Sequence, residues 1–145
     1  MYRRRLPHWR AEEAVYFVTW RLHKTQPELS ADERTMVAAA LRNFDLQRYR
    51  LVGYVVMNDH VHVVVEPCNG YGLSAIVQSW KSYTANRFQR LYERSARVWQ
   101  REYFDRVIRD EDELCDKLEY IMGNPQKRWP DIESYPWVWV AEGDL

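Results

Sequence analysis

Cysteine is scarce in this chain. Only Cys68 and Cys115 occur among 145 residues, too few for a disulfide framework, which points to a reducing compartment. Long apolar runs are missing as well: none approaches the roughly 20 residues that cross a bilayer. The charged start, Met1-Tyr2-Arg3-Arg4-Arg5-Leu6-Pro7, has no apolar stretch behind it and does not read as a secretory signal. A cytoplasmic protein with no membrane partner is the expectation. Repeats, low-complexity tracts and linkers are also absent. One globular domain over residues 1–145 is therefore expected, with a basic arm over 1–10 and an aromatic, proline-rich tail over 129–145.

Net charge is the last thing lacking, since 21 basic residues balance 21 acidic ones. The balance hides an asymmetry. Arg3, Arg4, Arg5 and Arg10 open the chain without an acid, and Lys81, Arg87, Arg90, Arg94, Arg97, Arg101, Arg106 and Arg109 cluster further on. The acids gather at 110–119 and in the tail. These cations either make a basic surface for nucleic acid or solvate one helix face.

What is present is more specific. Met57-Asn58-Asp59-His60-Val61-His62-Val63-Val64-Val65-Glu66 places a His-x-His pair in a β-branched run. Residues i and i+2 of a strand share a face, with Cα atoms roughly 6–7 Å apart. Two imidazoles at that spacing can close on one metal ion while Val61, Val63 and Val65 pack behind them. Glu66 shares their face, but its place at the strand end favours solvent over ligation.

Strand patterns at 15–20, 49–57, 60–66 and 99–108 alternate with helical periodicity over 30–44, 73–91 and 110–124. Ser30 with Glu33 reads as a capping box, and Asn58-Asp59 as a hairpin turn. The order β-α-β-β-α-β-α suits an α+β, ferredoxin-like split βαβ sandwich, an antiparallel sheet with its helices on one face. Asn124-Pro125 is expected to end or distort the last helix.

On that helix Leu114, Leu118, Ile121 and Met122 form the apolar face. Tyr120 falls on the polar side with Glu113, Asp116, Lys117 and Asn124. Alone, Tyr120 reads as an amphipathic surface tyrosine. Beside a histidine-held metal it becomes a candidate nucleophile for a phosphodiester, provided a base or charge offsets the ordinary phenol pKa of about 10. Its covalent ester with DNA would keep the bond energy, so rejoining needs no ATP. Asn124, one turn on, is the candidate third ligand.

These parts resemble the single-tyrosine transposases of the HUH superfamily, most closely the REP-associated tyrosine transposases of bacteria. The resemblance rests on Leu6-Pro7-His8-Trp9, Tyr16–Leu22, Val55–Val63, Gln78–Ala85, Trp99–Glu111 and Tyr120-Ile121-Met122-Gly123-Asn124-Pro125. It implies a nucleoid-associated enzyme that nicks and rejoins single-stranded DNA near hairpins, using Mg²⁺ or Mn²⁺ and a 5′-phosphotyrosine, as monomer or homodimer. In that pattern His60 and His62 bind metal, Tyr120 is the nucleophile on the C-terminal helix, and Asn124 matches a further ligand position. The chain departs from the pattern in having Asn58 in place of proline and Gln126-Lys127-Arg128-Trp129-Pro130 after Pro125. Imidazoles by themselves favour Zn²⁺, so the third ligand and phosphate oxygens must select a harder ion.

Tyr83 is the rival nucleophile, although it lies beside an apolar stripe. Lys81, Arg87, Arg90 and the arm Arg3, Arg4 and Arg5 are candidate phosphate contacts. Lys117 is placed to ease ionisation of the phenol or hold the phosphate. Trp9, Trp20 and Trp99 either stack on unpaired bases or lie buried, and His8 and His23 read as structural or surface residues. Two other functions stay open: a non-catalytic hairpin DNA- or RNA-binding domain, and a metallohydrolase using only the histidines.

Overall fold

The computed structural model describes residues 14–142; Arg3, Arg4, Arg5, His8, Trp9 and residues 143–145 lie outside the described residues. The elements are β1 (Val15–Arg21), α1 (Ala31–Asn43), β2 (Tyr49–Val56), β3 (His60–Pro67), α2 (Leu73–Leu91), β4 (Phe104–Ile108), α3 (Glu111–Arg128) and β5 (Val138–Val140). They build one antiparallel sheet in the order β4-β1-β3-β2-β5. The expected α+β, split βαβ architecture is present, with the tail adding a short fifth strand beside β2. The fourth strand begins later than its aromatic composition suggests: Trp99 makes only an isolated bridge to Leu22. Among the described residues, no helix is long and apolar enough to cross a membrane.

The sheet is covered on both faces, which corrects the expectation of helices on one face. Val18, Trp20, Val61, Val63 and Val65 share a core with Val37 and Leu41 of α1 and with Ile76, Val77 and Trp80 of α2. Val15, Phe17, Val55 and Val64 share another with Leu114, Leu118 and Ile121 of α3. The physical cause is the period of two along each strand. β1, β2 and β3 carry apolar residues at both parities, so each parity requires its own cover.

The local signals hold where they are short-range. The Ser30 hydroxyl accepts from the Glu33 N–H while the Glu33 carboxylate accepts from the Ser30 N–H, the reciprocal cap that starts α1. Asp110 caps α3, with Glu111, Asp112 and Glu113 in its first turn and Lys127 and Arg128 in its last, all matched to the helix dipole. Pro125 does not end α3. It lies inside the helix, buried with Asn124 against the sheet, and its carbonyl accepts from Trp129. With one turn left beyond it, the missing N–H removes little of the ladder. Met122 also departs from its expected face: it is exposed, and Cys115 takes the buried position.

Two contacts fix what the sheet carries. The turn between β2 and β3 is held because the Asn58 side chain donates to Glu28 and its carbonyl accepts from Leu29. Asparagine at this position therefore anchors the turn that leads into His60. At Gly53, opposite a register shift in β2, an added Cβ would lie 2.9 Å from Leu118 Cδ2 and 3.3 Å from the Trp139 carbonyl oxygen. The bare backbone lets α3 and β5 settle close to β2.

Arg94, one of the cluster's cations, is buried. Its guanidinium binds the Glu33 carboxylate and donates to Gln26 and to the carbonyls of Pro27 and Glu28. Burial alone would raise the Glu33 carboxyl, but the Arg94 hydrogen bonds and the Ser30 cap outweigh it and hold the carboxyl below its ordinary range. Removing one partner strands a buried charge. Arg94→Met is expected to cost about 3 kcal/mol and to lower Tm by about 6–12 °C. The depressed carboxyl contributes stability above the ordinary carboxylate pKa and loses it as pH falls through its lower folded value. The difference in melting temperature between wild type and variant should therefore shrink in acid.

Candidate active site

The site begins with β3. Because Val61, Val63 and Val65 turn to the α1/α2 core, His60 and His62 must turn to α3. Their ring centroids lie 4.7 Å apart. β1 runs alongside in a register that pairs Thr19 with His62 and Arg21 with His60. From the other side, Tyr120 of α3 brings its ring to 5.3 Å from that of His62. Phe17 stacks on His62 at 5.3 Å and meets Tyr120 edge-on at 6.1 Å. Strand and helix thus assemble the three residues that the sequence singled out for chemistry.

Hydrogen bonding sets the imidazole tautomers. His60 Nδ1 lies 2.7 Å from the Asp59 carboxylate, which only accepts, so Nδ1 carries the proton and Nε2 keeps its lone pair. His62 Nδ1 lies 2.6 Å from the Thr19 hydroxyl. Its Nε2 is buried with no hydrogen-bond partner. A proton there would leave an orphaned donor, so the tautomer protonated at Nδ1 is favoured here too. Burial first, then repulsion from His60 whenever that ring is protonated and from the cations Arg21 and Lys117, pushes the His62 pKa down to about 3. At neutral pH it is an uncharged imidazole whose buried Nε2 lone pair has no protein partner.

That orphaned nitrogen fits a divalent ion. Imidazoles held through Nδ1 by a carboxylate and a hydroxyl are oriented as metal-bound histidines usually are. Among the described residues, no group of three or more His, Cys, Asp or Glu is arranged to hold a metal. Among the described residues, a further ligand would then be another oxygen, and the buried Asn124, one turn beyond Tyr120, is the carboxamide on that side of α3. Glu66 does not serve. It is buried, contrary to its expected exposure, and its carboxylate accepts from Arg50 at 2.7 Å.

Lys117 and the unexpected Lys127 bracket the tyrosine. Lys117 Nζ lies 4.9 Å from the Phe17 ring centroid, and Lys127 Nζ lies 5.6 Å from that of Tyr120. Lys127 follows Tyr120 by two helical turns, a spacing that becomes informative once α3 continues through Pro125. Tyr83 sits on α2, across the sheet from the histidines, and is half exposed. Lys81 is buried and donates to the carbonyls of Gln100 and Arg101, a structural duty that the expectation of a free phosphate contact did not include. Arg87 is partly buried, its Nε lacking a partner, while Arg90 is exposed on the last turn of α2. Trp20 and Trp99 are core residues, edge-on at 6.2 Å, so neither offers a face to a base.

The α+β sheet thus sets a histidine pair against a helix-borne tyrosine. The chain belongs to the IS200-like transposase family, whose model matches residues 14–124. A Haemophilus influenzae protein, provisionally described as a REP-associated tyrosine transposase, is 26% identical over 124 aligned positions, covering 67% of this chain and 70% of that one. A REP-associated tyrosine transposase solved with a REP hairpin shares the fold at a TM-score of 0.73 and 18% identity, over 90% of this chain and 79% of its own. A Deinococcus radiodurans protein described as a transposase gives a TM-score of 0.58 at 19% identity, over 80% and 94% of the two chains.

The depressed His62 pKa has a direct readout. In ¹⁵N-resolved imidazole spectra His62 is expected to stay neutral from pH 8 to pH 4, while an unperturbed histidine titrates near about 6.5. The unfolded chain takes up this proton first, so His62 withdraws stability as pH falls from the ordinary histidine value toward 3. A His62 titration near the ordinary value would mean that Nε2 is open to water.

Proposed function

We propose that this chain is a DNA strand transferase that nicks and rejoins single-stranded DNA beside hairpin-containing repeats, with Tyr120 as the nucleophile. The observation that carries the reading is the Tyr120 ring 5.3 Å from His62, whose buried Nε2 lacks a partner. Membership of a transposase family supports a DNA substrate. The relative solved with a REP hairpin is the basis for choosing hairpin repeats.

The Tyr120 phenol gives up its proton to water and its oxygen forms a bond to the scissile phosphorus; the bond to the 3′-oxygen breaks, and that oxygen takes up a proton and leaves as a hydroxyl. The 5′ end is then held as a phosphotyrosine, and attack by a 3′-hydroxyl reverses these changes and frees the tyrosine. His60 and His62 through Nε2, with Asn124, would hold Mg²⁺ or Mn²⁺, which when bound supplies Lewis-acid charge stabilisation at the phosphate. Asp59 and Thr19 keep both imidazoles oriented. Lys117 and Lys127 provide fixed positive charge around the phenol and the phosphate oxygens. The chain acts as a monomer or homodimer.

Purified protein mixed with labelled single-stranded hairpins and Mg²⁺ or Mn²⁺ should give a label at protein mass on a denaturing gel. Tyr120→Phe and chelation should each abolish it, and His60→Ala or His62→Ala should remove cleavage while sparing much of the hairpin binding. Tight binding without any adduct would indicate a non-catalytic binding domain. Cleavage that survives Tyr120→Phe would indicate hydrolysis by the histidine site alone.

Thr19 supplies a separate check. Thr19→Val should weaken Mn²⁺ binding, followed by electron paramagnetic resonance, by about 10–100-fold, with Tyr120 untouched. Unchanged affinity would remove Thr19 from the support of His62.

A further inference from the structure

On the α2 side of the sheet, a cleft of about 590 Å³ is lined by Lys81, Asn86, Arg97, Gln100 and Arg101 among others. A second hollow of about 420 Å³ shares Arg97, Gln100 and Arg101 with it and adds His23 and Lys24. Among the described residues, no aspartate or glutamate lines either hollow. In a chain with no net charge, a continuous cationic groove without acids is a local concentration of positive potential.

The groove is built on a braced segment. Arg94 is locked to Glu33 and to the 26–28 segment. Gln26 donates to the carbonyls of Ser95 and Arg97 at 2.7 and 3.1 Å, and Gln89 donates to that of Ala96 at 2.9 Å. Lys81 donates to the carbonyls of Gln100 and Arg101 at 2.8 and 2.9 Å. The Gln26, Gln89 and Lys81 bonds all end on backbone carbonyls of residues 95–101, and the exposed side chains of Arg97 and Arg101 take no part in the bracing.

The groove also adjoins the candidate active site through the backbone. The Gln100 N–H donates to the carbonyl of Arg21 at 2.8 Å, and Arg21 is the cross-strand partner of His60. The Leu22 N–H donates to the carbonyl of Asp59, which orients His60. The same end of β1 therefore borders the histidines on one face and the cationic groove on the other.

We infer that Lys24, Arg97 and Arg101 form a phosphate track for the single-stranded DNA flanking the hairpin, carrying the strand around the end of β1 between the groove and Tyr120. The inference rests on reading the chain as acting on single-stranded DNA. Fixed cations hold such a backbone without reading its sequence, so the track serves any flank of sufficient length.

The test compares full-length wild type with the triple variant Lys24→Ala, Arg97→Ala, Arg101→Ala. Binding is measured over a range of salt for a hairpin with single-stranded flanks and for the same hairpin trimmed blunt. Each lost phosphate contact lowers the slope of log K against log salt by about 0.7 for single strands. The triple variant should lose about 2 from the slope on the flanked hairpin and bind it roughly a hundredfold more weakly at about 0.1 M salt. The blunt hairpin should bind as it does to wild type.

Equal losses on flanked and blunt hairpins would place these cations on the duplex and overturn the track. An unchanged slope would overturn it as well, whether or not wild type forms its adduct. Loss confined to the flanked hairpin, in a wild type that forms no adduct, would keep the track and reject the tyrosine chemistry. Circular dichroism and Tm should match between the proteins, because the substituted side chains carry none of the bracing bonds.

Discussion

The site depends on the two-residue period of β3. A single strand must send Val61, Val63 and Val65 into one core while presenting His60, His62 and Val64 to the other. A slip of one residue would push both imidazoles among tryptophans and remove the valines from their core. Packing on one face therefore enforces the placement of the histidines on the other. The register with β1 acts in the same way: it sets Thr19 beside His62 and buries the ring deeply enough to keep it uncharged.

α3 completes this arrangement as the cover of the second core. Leu114, Leu118 and Ile121 are buried on the sheet, each contributing about 1.5–3 kcal/mol of hydrophobic stabilisation as an upper-range figure. Tyr120 lies at the border of that buried stripe, half exposed yet packed against His62 and Phe17. A position deeper in the stripe would close the phenol to a substrate, and one further round would carry it away from the histidines. The helix binds the domain together and presents its tyrosine through the same contact.

Much of this was legible in the sequence because its signals are local. The capping box at Ser30 and Glu33, the turn at Asn58-Asp59, the strand alternation through His60 and His62 and the periodicity around Leu118 each need only a few neighbouring residues. What escaped depends on partners distant in sequence. Thr19 becomes significant only through its pairing with His62, 43 residues away. Arg94 looks like a surface cation until Glu33 is found 61 residues away, and Glu66 looks exposed until Arg50 meets it from the neighbouring β2. Lys81 follows a helical pattern that says nothing of the carbonyls it holds. Pro125 misled in the other direction: burial against the sheet carries α3 through a residue that disfavours helix, and this brings Lys127 within reach of Tyr120.

Gly53 gives the arrangement a vulnerability that no reactive side chain reveals. With 2.9 Å between its missing Cβ and Leu118, the clearance under the tyrosine's helix is smaller than a methyl group. The packing of Leu118 on β2 thus depends on a residue without a side chain. A side chain added at this one position would have to displace Leu118, on the helix that carries Tyr120, without altering any residue of the proposed site. A descendant altered in this way would keep every residue of the proposed site, and a reader of motifs alone would not see the difference.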